Sequence, residues 1–112
     1  MKSHLLIGAA SSGSGKTTFT LGLLRALKNR YGKVRPFKCG PDYIDTRHHK
    51  MAAGCPSVNL DSFMMSEQHI CDLYRRYTSV ADYAVTEGVM GFFDGYDAMQ
   101  GSSAEIARTL NI

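Results

Sequence analysis

The sequence contains no long apolar run. No stretch reaches the ~18 apolar residues that a membrane-spanning helix needs, and the apolar segment after Lys2 is shorter than the core of a secretory signal. These absences predict a cytoplasmic chain with no membrane partner. Internal repeats and low-complexity segments are also lacking, so the 112 residues are expected to belong to at most one domain.

Cysteine is scarce and is not arranged for metal binding or disulfide formation. The three cysteines, Cys39, Cys55 and Cys71, include no CxxC pair, and no histidine stands near them at the spacing of a zinc site. An odd number of thiols without such spacing is typical of a protein from a reducing compartment. The sequence therefore predicts reduced thiols and no zinc centre.

A strong excess of one charge is lacking too. Thirteen Lys and Arg residues stand against ten Asp and Glu residues, which gives a formal net charge of +3. This excess is too small to indicate a nucleic-acid partner, although it is compatible with a pocket for an anionic ligand.

Hydrophobic periodicity predicts an alternation of strands and helices. Strands are expected at residues 4–7, 33–38 and 82–88, and helices at residues 16–30, 48–53, 66–77 and from Ser102 onward. Apart from its short helix, the segment 39–61 is expected to be irregular. The first strand, loop, helix and second strand make a βαβ unit, so we predict an α/β fold with a doubly wound, mostly parallel sheet. Three strands are few for such a sheet, and we expect the chain to be the first part of a longer protein.

The first predicted helix carries an apolar stripe. Phe19, Leu23, Leu24 and Leu27 recur at helical spacing. We expect these four side chains to pack in the core and to take no part in chemistry.

The segment between the first strand and the first helix has the pattern of a phosphate-binding loop. Residues 10–17 read ASSGSGKT and match G-x-x-x-x-G-K-[ST] except at Ala10. Gly13 and Gly15 can adopt backbone conformations that turn N–H groups inward, and the helix N-terminus adds partial positive charge. Lys16 can reach the β- and γ-phosphates of a nucleotide, and the Thr17 hydroxyl can bind Mg²⁺. The loop therefore predicts ATP and Mg²⁺ as ligands.

Carboxylates that could complete a magnesium site follow the predicted strands. Mg²⁺ needs oxygen ligands and keeps several waters, so one or two carboxylates suffice. Ligands of open α/β sheets lie at the carboxyl ends of the strands. Glu87 ends one predicted strand and Asp42 follows another, while Asp45, Asp94 and Asp97 lie in the loops beyond them. Glu87 and Asp42 are the first candidates.

Further motifs extend along the chain in a fixed order. The series SSGSGKTT, LGLLRAL, PFKCGPDYID, NLDSFMM and EGVMGFFDG covers nearly all of the 112 residues. It resembles the N-terminal ATP-binding part of the cobyrinic acid a,c-diamide synthase family, which is related to dethiobiotin synthetase and to partition-type ATPases. The resemblance implies a P-loop NTPase-like fold. It also implies amidation of the a- and c-side-chain carboxylates of cobyrinic acid in cobalamin biosynthesis, in which ATP forms an acyl phosphate that ammonia attacks.

The resemblance also implies roles for particular residues. The implied phosphate-binding residues are Ser12, Gly13, Ser14, Gly15, Lys16, Thr17 and Thr18. The implied magnesium ligands are Thr17, Asp42 and Glu87. Lys38 stands where the related synthetase has a lysine beside the reacting phosphoryl group, so the implied catalytic residues are Lys16, Lys38, Asp42 and Glu87. The residues expected near the corrinoid carboxylates are Tyr43, Asp45 and Asp94.

The implied partners follow from the same family. Ammonia is expected from glutamine through a C-terminal class I glutamine amidotransferase domain, which lies outside these 112 residues because none of the cysteines stands in its nucleophile context. The acceptor is cobyrinic acid or a related tetrapyrrole, and a homodimer is a further expectation. A carboxylate acceptor is ionised near neutral pH and needs no general base. We therefore assign no catalytic histidine and expect His48, His49 and His69 in loops or on helix surfaces.

Other functions remain open from the sequence. The same chemistry on another tetrapyrrole, such as nickel sirohydrochlorin, shares these motifs, as does the sister cobyric acid synthase, although GPDYID fits the a,c-diamide enzyme better. A partition-type ATPase switch usually carries an additional Lys early in the loop, where this sequence has Ser11 and Ser12. A small-molecule kinase usually has a mobile Arg-rich lid, whereas Arg75 and Arg76 are predicted on a helix.

Overall fold

In the computed structural model, the described residues are 3–11, 13–95 and 101–112, so Ser12 and Asp97 lie outside them. The described elements are, in chain order, β1 (Ser3–Ile7), α1 (Lys16–Tyr31), β2 (Val34–Cys39), α2 (Asp45–Ala53), β3 (Val58–Leu60), α3 (Glu67–Thr78), β4 (Tyr83–Glu87) and α4 (Ser103–Leu110). Strands and helices alternate, which is the pattern that builds parallel sheets because each strand needs a crossover to return. Of the helices in this part of the chain, none combines the length and the apolar character needed to cross a membrane.

The described strands form a four-stranded sheet in the order β1-β4-β2-β3. All three neighbouring pairs are parallel, so their carboxyl ends meet at one edge. β4 therefore lies between the first two strands of the chain, and its last residue, Glu87, is flanked by Ile7 of β1 and by Lys38 of β2. In open sheets of this kind the ligand lies at that edge.

Helices cover both faces of the sheet. On one face, Leu24 of α1 packs with Val85 of β4 and with the C-terminal alanines of α2. On the other face, Ile70 of α3 and Ile106 of α4 pack with Phe37 of β2. This arrangement confirms the prediction of a doubly wound α/β fold with a parallel sheet.

One strand is absent from the sequence prediction. β3 forms within the segment expected to be irregular, where Val58, Asn59 and Leu60 pair with the last residues of β2. A three-residue strand displays too little periodicity to be recognised, and pairing with its neighbour forms it. The helix α2 also begins at Asp45, ahead of the predicted start at residue 48.

The apolar stripe on α1 also differs from the prediction. Leu24 is fully buried, and Leu23 and Leu27 pack against the same core, but Phe19 is 62% exposed. The buried stripe passes instead through Thr20, which lies four residues before Leu24 and so shares its face. The prediction that Phe19 packs in the core is therefore wrong.

Candidate functional site

The phosphate-binding loop joins β1 to α1 at the carboxyl edge of the sheet. Gly13 and Gly15 have φ angles of 77° and 86°, although a Cβ at either position would meet no atom within 4 Å. The backbone conformation, rather than a lack of space, therefore explains glycine at both positions. The Ser14 hydroxyl donates to the carbonyl of Ser11 at 2.9 Å, which folds the loop on itself.

The first turn of α1 supplies N–H donors and positive charge. Its sequence, KTTF, contains no acidic residue, and the N-cap is Gly15, which has no side chain to satisfy the first N–H groups. Lys16 Nζ donates to the carbonyl of Met90 at 3.2 Å, which ties the loop to the segment after β4. A helix N-terminus of this kind is suited to binding phosphate. The predicted phosphate-binding residues that line one depression here are Gly13, Gly15, Lys16, Thr17 and Thr18.

Strand register brings a lysine and a glutamate together at the same edge. Glu87, the last residue of β4, pairs with Ile7 of β1 and with Lys38 of β2. Side chains alternate between faces along a strand, and Val85 packs under α1 and α2, so Glu87 points to that same face. There Lys38 Nζ donates to Glu87 Oε2 at 2.6 Å.

Lys38 has an acceptor for each of its ammonium protons. Besides Glu87, Nζ donates to Asp45 Oδ2 at 3.0 Å and to the carbonyl of Gly88 at 2.8 Å. The residue is only 2% exposed. Burial alone would lower the pKa of Lys38, but hydrogen bonds and charge interactions with Glu87 and Asp45 outweigh burial and raise it. The ammonium charge is therefore retained inside the protein.

Glu87 is fully buried and uses both carboxylate oxygens. Oε2 faces Lys38 and the Thr17 hydroxyl, which lies at 3.3 Å, while Oε1 lies 3.4 Å from His49 Nε2. Burial would raise the pKa of Glu87, but hydrogen bonds with His49, Asp45 and Lys38 outweigh burial and lower the pKa to about 2. Glu87 is therefore a carboxylate at neutral pH.

Oxygen atoms from α1, α2 and β4 converge beside the loop. Thr17 Oγ1 lies 3.3 Å from Glu87 Oε2 and 3.4 Å from Asp45 Oδ2, and its single proton can serve one of them at a time. Two carboxyl groups face one ammonium group, so the cluster holds more acid than base. Within the described ranges, no group of three or more His, Cys, Asp and Glu side chains could hold a metal. A set of one hydroxyl and two carboxyl groups nevertheless fits Mg²⁺, which takes oxygen ligands and keeps several waters.

The structure brings Asp45 to Thr17, whereas the sequence assigns that place to Asp42. Asp42 Oδ1 accepts from the backbone N–H groups of Ile44 at 2.9 Å and of Asp45 at 3.1 Å. These bonds satisfy N–H groups at the start of α2. Asp42 therefore fixes where the helix begins, and the first residue of that helix reaches the cluster. A metal-binding role for Asp42 stays a prediction.

The other residues expected near the substrate lie at the rim of this edge. Tyr43 is 68% exposed. Asp94 is also exposed, and its Oδ2 accepts from the N–H of Gly91 at 3.1 Å. Asp94 borders an open cleft whose other walls are Gly8, Ala9, Ala10, Phe92 and Phe93. Tyr43 and Asp94 are thus open to a large ligand, while Asp45 belongs to the cluster beneath.

His49 is a candidate functional residue that the sequence reasoning places wrongly on the surface. It is fully buried, with Nε2 toward Glu87 and Nδ1 at 3.0 Å from the Ser57 hydroxyl. The signal that could have found it is spacing. Asp45 and His49 are four residues apart on α2 and so share a helix face, and Asp45 is already a candidate from the sequence.

The fold and the loop together define a class of protein, the P-loop nucleotide-binding domains. A parallel sheet flanked by helices carries the loop between its first strand and first helix, and a hydroxyl and carboxyl cluster lies at the same edge. Residues 5–112 match the family described as the CobQ/CobB/MinD/ParA nucleotide binding domain, and the chain belongs to that family.

Several relatives that are named as enzymes are about half identical to the chain. The cobyrinate a,c-diamide synthase of Listeria innocua is 50% identical over 93% of the chain. The enzyme of the same name from Streptococcus sanguinis is 50% identical over 100% of the chain. The hydrogenobyrinate a,c-diamide synthase of Brucella anthropi is 52% identical over 96%. The resemblance read from the motifs is thereby confirmed.

The chain spans about a quarter of the length of these relatives: 24% of the Listeria innocua protein and 25% of the other two. No solved structure gives a significant match to the chain.

Proposed function

We propose that this chain is the nucleotide-binding part of an ATP- and Mg²⁺-dependent amidoligase that converts the a- and c-carboxylates of cobyrinic acid, or of its metal-free counterpart hydrogenobyrinic acid, to amides. The names of the relatives indicate the substrate class. The observation that carries the proposal is the position of the Thr17 hydroxyl between the carboxyl groups of Asp45 and Glu87, one residue after the phosphate-binding Lys16.

The loop and the first turn of α1 hold the nucleotide. N–H groups at the helix start bind the phosphates, and Lys16 reaches the β- and γ-phosphates. In the present geometry Lys16 Nζ rests on the carbonyl of Met90 at 3.2 Å. A phosphate oxygen is a stronger acceptor because it is charged. Nucleotide binding is therefore expected to draw Lys16 away from Met90.

Thr17, Asp45 and Glu87 are the residues that would hold Mg²⁺. When bound, the ion supplies charge neutralisation at the phosphate oxygens. The acceptor carboxylate is already ionised near neutral pH, so it needs no general base to attack the γ-phosphate, and ADP leaves as the acyl phosphate forms. The main requirement is to position the acceptor carboxylate against the γ-phosphate. Cationic side chains at this edge offset the repulsion between these two anions.

Lys38 is proposed to stand beside the reacting phosphoryl group. All of its donors are already engaged by Glu87, Asp45 and the Gly88 carbonyl, so it must exchange one acceptor for a phosphate oxygen. Asp45 is the acceptor best placed for exchange because its side chain is 18% exposed, whereas that of Glu87 is fully buried. Loss of the Asp45 contact would free one Lys38 donor for a phosphate oxygen.

The rim of the site suits an acceptor with large apolar faces, as a corrin ring has. Large apolar side chains are exposed on the loops that follow β2, β3 and β4, namely Tyr43, Ile44, Phe63, Met64, Met90 and Phe93. Binding sites for such ligands are mainly apolar with a few polar groups that fix orientation. We propose that Tyr43 and Asp94 provide polar contacts to the ring periphery.

The nitrogen donor is proposed to be ammonia released from glutamine by an amidotransferase domain. Ammonia attacks the acyl phosphate at its carbonyl carbon, the C–N bond forms, and inorganic phosphate leaves. Because the reaction consumes ATP, we propose that it takes place in the cytoplasm.

The decisive experiment is an amidation assay with the intact protein. Incubation with ATP, Mg²⁺, glutamine and either cobyrinic or hydrogenobyrinic acid should give mono- and diamides that are detected by mass. Lys16→Ala should abolish the ATP-dependent product because the β- and γ-phosphates lose their cation. ATP turnover without amide would contradict the ligase function and favour a switch ATPase.

A second experiment separates the two aspartates near the loop. Asp45→Asn should raise the Mg²⁺ concentration needed for half-maximal nucleotide turnover by about 10- to 100-fold, because a proposed ligand loses its charge. Asp42→Asn should raise it far less, since an amide oxygen can still accept the two backbone N–H bonds. Glu87→Gln serves as the positive control. An unchanged Mg²⁺ dependence in all three variants would exclude this metal site.

A further inference from the structure

Glu87 is held by a second side chain at the carboxylate oxygen that does not face Lys38 and Thr17. Its Oε2 serves Lys38 and Thr17, while Oε1 lies 3.4 Å from His49 Nε2. The torsion that rotates a carboxylate about its last bond has broad, weakly defined minima. Rotamer preference therefore does not fix which oxygen faces Thr17, and a hydrogen bond on Oε1 can.

The imidazole of His49 is in turn oriented by Ser57, which lies between α2 and β3. Its hydroxyl is 3.0 Å from His49 Nδ1. A carboxylate only accepts hydrogen bonds, so His49 donates from Nε2 to Glu87. In the tautomer that leaves Nδ1 unprotonated, the Ser57 hydroxyl donates to the ring. The contacts thus form a directed chain from Ser57 through His49 to Glu87.

We propose that His49 and Ser57 are positioning residues that orient the Glu87 carboxylate for the nucleotide-bound cation. The inference rests on the proposed magnesium site. Hydrogen bonds that orient the ligands of a metal from behind typically change metal affinity or activity by about 10- to 100-fold when removed. His49 is fully buried and contacts Oε1 of Glu87, so its effect passes through that carboxylate.

The structure also explains why one helix can do this. Asp45 and His49 are the first and fifth residues of α2, one helical turn apart, and both reach the cluster at the end of β4. Asp45 meets the cluster at Lys38 and Thr17, and His49 meets it at the opposite oxygen of Glu87. A rotation or shift of α2 would move both contacts together.

The test uses nucleotide binding by the intact protein, measured by calorimetry with ATP in the presence of Mg²⁺ and again in excess EDTA. His49→Leu removes both ring nitrogens at similar volume, and we expect the Mg²⁺-dependent gain in ATP affinity to fall by about 10- to 100-fold. ATP affinity in EDTA should stay unchanged because the P-loop contacts remain. A purely structural defect would weaken binding in both conditions.

Matched variants refine the test. His49→Gln places an amide N–H near the former Nε2 position and should restore most of the Mg²⁺-dependent gain. Ser57→Ala should lower it by less than His49→Leu does. The control is His48→Leu, since His48 is the exposed neighbour of His49 on the same helix and should leave both affinities unchanged.

Each result bears on the inference separately from the proposed function. If wild type shows no Mg²⁺-dependent gain, the magnesium site itself is refuted. If wild type and His49→Leu both show the gain while Glu87→Gln loses it, only the positioning role is overturned. Equal losses with and without Mg²⁺ would also overturn it. Should His49→Leu fail to fold, His49→Gln and Ser57→Ala decide. The positioning role is then contradicted if Ser57→Ala shows the same Mg²⁺-dependent gain as wild type.

Discussion

A buried carboxylate decides much of the behaviour of this site. Glu87 would be costly to bury alone, because transferring an unpaired charge from water carries a large penalty. Lys38, the Thr17 hydroxyl and His49 meet its two oxygens. Removal of one partner would leave buried charge without compensation. These residues are therefore best regarded as one unit whose members cannot be changed independently.

The lowered pKa of Glu87 predicts acid sensitivity of the metal-free protein. Its folded pKa is about 2 against an ordinary value of 4.5, so its contribution to stability is complete above the ordinary value and is lost as pH falls through about 2. The difference corresponds to on the order of 3 kcal/mol of unfolding free energy. Lys38 has a raised pKa, so its contribution is kept throughout this window and is lost only in strong alkali.

Denaturant unfolding of the metal-free protein between pH 6 and pH 2 checks this, because that range covers the interval between the two pKa values. Glu87→Gln should flatten the decline, whereas Asp72→Asn, at a side chain 59% exposed, should leave it in place. A wild-type decline that Glu87→Gln fails to reduce would assign the acid sensitivity to other groups.

The ends of elements, rather than their middles, build the site. β2 and β4 end at Cys39 and Glu87, and α1 and α2 begin at Lys16 and Asp45. Helix N-termini offer N–H donors and strand ends offer side chains, so both meet at the carboxyl edge of the sheet. Close packing at this edge leaves little room, and Gly88 is one example.

Gly88 is expected to resist even the smallest side chain. A Cβ there would lie 2.5 Å from Ser103 Oγ and 3.0 Å from the carbonyl oxygen of Ile7. Gly88→Ala should lower the free energy of unfolding by about 1–3 kcal/mol through this overpacking. It should also weaken nucleotide binding, because a displaced backbone at residue 88 would move the carbonyl that accepts from Lys38.

Gly22 is the matched control for that substitution. It lies within α1, where a Cβ would meet no atom within 4 Å. Gly22→Ala should raise the free energy of unfolding by about 0.5–1 kcal/mol, because alanine loses less backbone entropy than glycine in a helix. Denaturant titration measures both variants, and equal stability of Gly88→Ala and wild type would contradict the close approach.

At the scale of the whole molecule, the chain corresponds to 24–25% of the length of the relatives named above. The residues assigned to the phosphate-binding loop and to the cluster beside it lie within this part. A polypeptide limited to residues 1–112 is therefore expected to bind ATP and Mg²⁺. It is expected to form no amide from glutamine, because the relatives named as diamide synthases are about four times as long. Calorimetry and product mass measure the two properties separately. Amide formation from glutamine by this segment would contradict the expectation that residues 1–112 bind the nucleotide but form no amide.

Whether the sequence predicts a helix or strand depends on the length of its hydrophobic pattern. The helix α1 and the strands β1, β2 and β4 are recognisable because each combines an apolar pattern with clear end signals. β3 is not recognisable from the sequence, because three residues are too few to show a hydrophobic period. Its hydrogen-bonded partner is β2. The exposure of Phe19 likewise depends on which side of α1 meets the sheet.

The sequence by itself determined the phosphate-binding loop and the nearby acids, because the loop chemistry depends on residues that are adjacent in the chain. Only the tertiary structure decided that Asp45, rather than Asp42, faces Thr17, and that His49 is buried against Glu87. The physical reason is that these contacts join α1, α2 and β4, whose relative positions follow from sheet register and helix packing. Spacing along the chain places Asp42 and Asp45 equally near the site, but in the fold Asp42 binds backbone N–H groups at the start of α2 and Asp45 reaches Thr17.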